Sequence, residues 1–105
     1  IMITGEANYS NAHGTPWVYK YKNIGLLVGK QVPGTMTSVT WETLQDPTLY
    51  FGIPVVGYSK ADGTYLEYDQ LNPDIDVENT KELVVTGRDE QLEAAVKALL
   101  DQIDN

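Results

Sequence analysis

The sequence predicts an α/β unit with a β-rich extension and a closing amphipathic helix. Three observations predict it. Two apolar, strand-like runs at 1–7 and 25–29 bracket a segment with helical signals. Between 35 and 68, β-forming residues alternate around Pro, Gly and Asp turns. Near the C-terminus Leu92, Val96, Leu99 and Ile103 recur at helical spacing. Strand, helix, strand, several further strands and a helix is an order that layered α/β packing accommodates.

Residues 1–7 are β-branched at several positions and end in turn chemistry, which reads as a buried strand. Residues 8–14 follow as a polar turn. Thr15 and Pro16 give a helix start, with Thr15 as N-cap and Pro16 in the first turn. Trp17, Val18 and Tyr21 share one face of that helix, and Asn23 and Gly25 end it. Residues 25–29 form a second buried strand flanked by glycines.

Residues 35–43 alternate Met36, Ser38 and Thr40 against Thr37, Val39 and Trp41, a strand pattern. Asp46-Pro47 is a break. Two short strands, 49–53 and 55–59, are expected on either side of Pro54. Asp62-Gly63 predicts a hairpin turn that returns through 64–68. Asn72-Pro73-Asp74 is another turn, and 75–77 is extended. Asp89 caps a helix over Glu90–Ile103, whose first turn carries Glu90 and Glu93, where negative charge suits the helix dipole. The aromatic residues Trp17, Tyr19, Trp41, Tyr50, Phe51 and Tyr58 are expected in a core or cleft wall.

Composition excludes several functions. The 105 residues carry a net charge of -8. Nucleic acid and anionic membranes both require basic surfaces, so neither is an expected partner. There is no cysteine, which removes disulfides, thiolate catalysis and Cys-based zinc sites. No apolar run is long enough to span a bilayer. No residue set has metal-ligand spacing and the phosphate-loop pattern is missing, so no metal or cofactor is expected. A chain that opens inside a strand reads as a piece of a longer protein, with any targeting signal upstream.

Chemistry centres on Ser10. It follows a strand and precedes a helix, so its hydroxyl lies where main-chain N–H groups can hold an oxyanion, with the Asn11 N–H as natural donor. Turns are rich in serine, so this pattern alone does not select it. His13 is the single histidine. Three residues from Ser10 and in the same turn, it is poorly spaced to act as base. It reads instead as a polar loop residue or as part of the cleft lining. Glu67 has no evident role on local pattern.

Four segments in order carry a family resemblance. TGEANYSNA at 4–12 resembles the nucleophile segment of the S41 serine peptidases, the tail-specific and tricorn-like group. IGLLVGKQVPGT at 24–35 is similar to their G-x-L-V-G-x-P-T-x-G segment, with Pro33 shifted. EYDQLNPDIDV at 67–77 resembles E-x-x-G-V-x-P-D-x-x-V, with Gln70 in place of glycine. GRDEQLEAAV at 87–96 resembles the terminal G-x-D-x-Q-L-x-x-A helix.

The resemblance implies that residues 1–105 are the C-terminal part of an S41-type catalytic domain, a fragment of a crotonase/ClpP-like ββα fold. It implies Ser10 as nucleophile, Asn11 as oxyanion-hole donor and Glu67 in the serine-side relay. It further implies a polypeptide substrate and a periplasmic, envelope or exported location in a bacterium. Threonine stands where tail-specific members place their lysine base, and tricorn-like members draw a histidine from upstream. The isolated piece is therefore expected to be inactive, and its open strand edges are expected to pair into homo-oligomers. The alternative is a non-catalytic peptide-binding or scaffold domain of the same fold.

Overall fold

The protein is described by a computed structural model over residues 1–104. Its elements are β1 (Met2–Thr4), α1 (Asn11–Tyr21), β2 (Leu27–Gly29), β3 (Thr37–Thr43), β4 (Tyr50–Gly57), β5 (Ile75–Asp76), α2 (Lys81–Val84) and α3 (Glu90–Ile103). A parallel sheet in the order β1-β2-β5 lies at the centre, and β3 and β4 form a separate antiparallel pair. The register pairs Ile3 with Val28 and Val28 with Ile75.

Two helices sandwich the parallel sheet, and the strand alternation dictates which residues each covers. Met2 joins Leu27, Val32 and Leu71 in the core that Trp17 and Tyr19 of α1 pack against. Ile1 and Ile3 point to the other face, where they line a groove with Leu92, Ala95, Val96 and Leu99 of α3. Leu27 and Val28, on the central strand, are fully buried. The C-terminal helix keeps its expected bounds and cap, with the Asp89 side chain accepting the Leu92 N–H. Only Ala95 of that helix is buried, while Leu92, Val96, Leu99 and Ile103 remain exposed. β1 is shorter than expected and leaves Ile3 exposed. The short α2 was not foreseen. It is tied to α3 through Thr80, whose N–H and hydroxyl both donate to Glu90.

α1 starts four residues before the expected Thr15 cap, so Pro16 lies inside the helix. An interior proline strips a donor from the carbonyl four residues earlier. That carbonyl belongs to Ala12, and the Asn8 side-chain amide donates to it at 3.0 Å in place of the missing main-chain N–H. The far end closes as the sequence suggested. Asn23 takes φ 52, its N–H reaches Lys20, and the Ile24 N–H reaches Tyr19, a Schellman pattern.

The β-rich extension also departs from expectation. The two strands foreseen around Pro54 are one strand, β4. Ser38 pairs with Val56 but Val39 pairs with Pro54, so Val55 is an extra residue in a bulge. A bulge is where a strand tolerates a residue without an N–H. The return expected over 64–68 is an isolated bridge between Ser59 and Tyr65, followed by turns. The hairpin projects from the body: the radius of gyration is 17.4 Å, against about 13 Å for a compact domain of this size. Trp41, Tyr50 and Phe51 are therefore exposed on the hairpin rather than set in a core or cleft wall. Trp41 and Tyr50 meet edge to face at 5.4 Å.

Asp74 ties α1 to the sheet. Its N–H donates to the Leu27 carbonyl at 2.8 Å, its carboxylate accepts the Leu27 N–H at 2.8 Å, and Lys20 pairs with it at 2.7 Å. Burial opposes the charged form, but the Leu27 N–H and Lys20 outweigh it and hold the carboxyl below its ordinary range. A depressed folded-state pKa stabilises the fold above about pH 4, and that contribution is lost as pH falls through the folded value. Asp74→Asn is expected to cost about 1–3 kcal/mol at neutral pH. The gap to wild type should narrow below about pH 4. Denaturant melts at both pH values check this, and a gap that does not change with pH would contradict it.

Candidate active site

Ser10 stands where β1 hands the chain to α1, as its N-cap, half-buried. Its backbone takes φ 54 and ψ -123, and the Ala12 N–H donates to the Tyr9 carbonyl at 3.0 Å. Those values fit the first central position of a type II′ turn, which glycine normally fills. A serine held there costs on the order of 1–3 kcal/mol, and such strain concentrates at functional sites. A sharp, strained strand-to-helix turn of this kind presents a hydroxyl outward.

The next residue, Asn11, opens the helix. The N–H groups of Ala12, His13 and Gly14 are engaged by Tyr9 and Ser10. Among the described residues the Asn11 N–H has no acceptor. A free main-chain donor at a helix N-terminus, one residue after a serine, can hold negative charge developing beside that serine.

Ser10 and Glu67 are joined through a single peptide group. The Ser10 N–H donates to the Thr35 carbonyl at 2.6 Å. The N–H at the other end of that same peptide, on Met36, donates to the Glu67 carboxylate at 2.7 Å. The Thr37 hydroxyl reaches the same carboxylate oxygen at 2.7 Å. Glu67 thus fixes the peptide that fixes the serine backbone. Sequence reasoning missed Met36 and Thr37, because two donors at the start of β3 meeting a carboxylate thirty residues away leave no local signal.

The loop carrying Glu67 is itself tightly held. Tyr68 adopts φ 63 and is 89% exposed, an unusual conformation for a bulky side chain. Its N–H donates to the Gly34 carbonyl at 2.7 Å. The Asp69 main chain lies so close to Gly34 that a Cβ there would sit 2.9 Å from it. Lys60 pairs with the Asp69 carboxylate at 3.1 Å.

His13 is not in a loop and does not line a cleft. It sits in α1, fully buried, and no side chain hydrogen-bonds either ring nitrogen. Burial lowers its pKa, opposed by the charge and main chain of Asp69 and by the charge of Glu67. With no hydrogen bond between its ring and the Ser10 hydroxyl, it does not form a serine–histidine pair. The described residues of this chain bring no base to the Ser10 hydroxyl.

Beside Ser10 runs an apolar groove of about 530 Å³. Asn11, Gly14 and Val18 line one wall from a single face of α1, and Met36, Tyr58 and Leu66 line the other. Among the described residues no cluster of three or more His, Asp or Glu could hold a metal ion, and no helix is long and apolar enough to cross a membrane.

The sequence model of peptidase family S41 matches residues 1–77. A crystal structure of the tricorn protease superposes on the whole of this chain with a TM-score of 0.86 at 22% identity. The matched region is 10% of the tricorn protease chain, so this chain spans about a tenth of that protein's length. At such identity the likeness concerns the fold. No curated protein matches the chain.

Proposed function

The chain belongs to peptidase family S41, and from that membership we propose that it supplies the nucleophile side of a serine endopeptidase site in a longer protein. The observation that carries the proposal is the strained turn at Ser10, which sets a hydroxyl next to an unengaged Asn11 N–H. Strain at a position that glycine would occupy more cheaply is explained by a need for the serine side chain.

The reaction is acyl transfer. A base from outside these residues removes the proton from Ser10 Oγ as that oxygen bonds to the scissile carbonyl carbon. The carbonyl oxygen becomes an oxyanion, and the Asn11 N–H supplies one donor to it. The tetrahedral intermediate then collapses, the C–N bond breaks, and the leaving amine takes the proton. Water hydrolyses the resulting ester and regenerates the hydroxyl. Glu67 acts here through the Thr35–Met36 peptide, holding the serine main chain in its strained conformation. The apolar groove receives a large apolar side chain of the polypeptide substrate. The described residues supply neither the base nor a second oxyanion donor, so the isolated chain is inactive in this proposal.

The finer assignments follow the family. We take the fold as the C-terminal part of a crotonase-like catalytic domain over residues 1–105, and the location as the bacterial envelope or periplasm. The open edges of the β3-β4 pair and the exposed stripe of α3 are surfaces that further chain or a second copy would cover. A fluorophosphonate probe on the full-length protein tests the central claim. Covalent label is expected on the peptide that contains Ser10. Peptide hydrolysis by a protein labelled only elsewhere would favour the scaffold alternative for this domain.

A further inference from the structure

Gly14 is out of place by local rules. It lies within α1, buried, and no positive φ calls for it. Glycine weakens a helix interior relative to alanine, which would keep the same backbone. Space explains its presence. A Cβ on Gly14 would lie 2.8 Å from the Met36 Cε and 3.1 Å from its Sδ. The bare helix backbone therefore seats the end of the Met36 side chain.

Met36 stands where the support of Ser10 meets the apolar groove. Its N–H donates to Glu67 at 2.7 Å, from the same peptide whose carbonyl accepts the Ser10 N–H. Its side chain, 8% exposed, lines the groove with Leu66, which is 6% exposed. Asn11, whose N–H is the open donor, lines the same groove. A substrate carbonyl seated on that N–H places its own residue's side chain at the groove mouth. No lining residue carries a charge. A lysine or aspartate side chain entering the groove would lose its hydration and find no countercharge.

We propose that Met36 is the specificity-determining residue of this site. Its thioether is the movable floor of the groove. It selects an uncharged side chain, from leucine to phenylalanine in size, on the residue whose carbonyl Ser10 attacks. Methionine suits that task, because an unbranched chain with a polarizable sulfur adapts to apolar and aromatic partners of different shape. Gly14 sets the depth of the floor, since any side chain there must push the thioether outward into the groove. Glu67 is bound to the main chain of Met36, so a change of side chain alters the groove and leaves the link to Ser10 in place. The inference deepens the peptidase reading of Ser10 and rests on it.

The test is a peptide series cleaved by the full-length protein, with Ala, Leu, Phe, Trp, Lys or Asp on the acyl side of the scissile bond. Wild type is expected to favour Leu and Phe over Ala, Lys and Asp by tenfold or more in kcat/KM. Gly14→Ala raises the floor, so its ratio of Phe to Ala should fall roughly tenfold or more. Met36→Ala lowers the floor, so its ratio of Trp to Leu should rise. Opposite shifts in preferred size cannot come from general damage to the fold. Gly14→Ala carries the test alone if Met36→Ala does not fold, because the atom it displaces is the free end of a flexible side chain. A fluorophosphonate with a methyl substituent, too small to fill the groove, separates the two levels of the argument. Label at Ser10 with a size preference unmoved in Gly14→Ala would overturn the role of Met36 and leave the nucleophile standing. So would a wild-type preference for Lys or Asp. Absence of label at Ser10 would overturn both readings together.

Discussion

Ser10→Ala in the full-length protein is expected to lower kcat for peptide hydrolysis by roughly 10⁴-fold or more while leaving KM nearly unchanged. The hydroxyl forms its bond to substrate only on the way to the transition state, so its loss falls on turnover and not on ground-state binding. The fold offers a control for this result. Alanine is no better suited than serine to φ 54, so Ser10→Ala should be about as stable as wild type. Ser10→Gly removes the misfit and should be more stable by about 1 kcal/mol, although equally inactive. A variant that gains stability as it loses turnover shows strain kept for function. Steady-state kinetics and thermal melts on the two variants check both halves. Retained turnover in Ser10→Ala would remove the nucleophile from this chain.

Much of the architecture was legible because local rules wrote it. The Asp89 cap and the spacing of Leu92, Val96 and Leu99 fixed α3 to its observed bounds. The Gly-flanked apolar run gave the central strand, and Asn23 ended α1 as a residue tolerant of positive φ should. Local rules failed at Pro16. Proline most often opens a helix, and here the Asn8 side chain, four residues before Ala12, takes up the carbonyl that an interior proline leaves open. They failed again at Pro54, where the bulge at Val55 depends on the register with β3.

The candidate site divides along the same line. The placement of Ser10 before a helix follows from neighbouring residues, and so does the exposed donor on Asn11. How Glu67 is engaged does not. It accepts from Met36 and Thr37 across thirty residues of chain, and the hairpin between them folds back to close that distance. The burial of His13 was equally hidden. A histidine among Asn, Ala and Gly looks like loop until α1 is seen to begin at Asn11 and turn that side chain inward.

Gly29→Ala is expected to be the most destabilising single methyl that can be added to this chain. Gly29 closes β2 with φ +123, a conformation L side chains rarely adopt. A Cβ there would lie 2.1 Å from the Thr4 carbonyl oxygen, a main-chain atom that cannot swing aside. That carbonyl also accepts the Lys30 N–H at 2.9 Å, and the Thr4 hydroxyl donates to the Lys30 carbonyl at 3.0 Å. Relief of the collision requires β1 to part from β2 at the end that leads to Ser10. The expected cost is about 4 kcal/mol or more, a large share of the whole stability of a domain this size. That corresponds to a fall in Tm of roughly 15–30 °C. Gly63→Ala separates collision from conformation. Gly63 has φ +84 with nothing within 4 Å of the new methyl, so it should lose only about 1 kcal/mol. Thermal melts of the two variants side by side measure the difference. Equal losses would mean that the close approach of β1 to β2 at Thr4 and Gly29 does not hold the strand end that delivers Ser10.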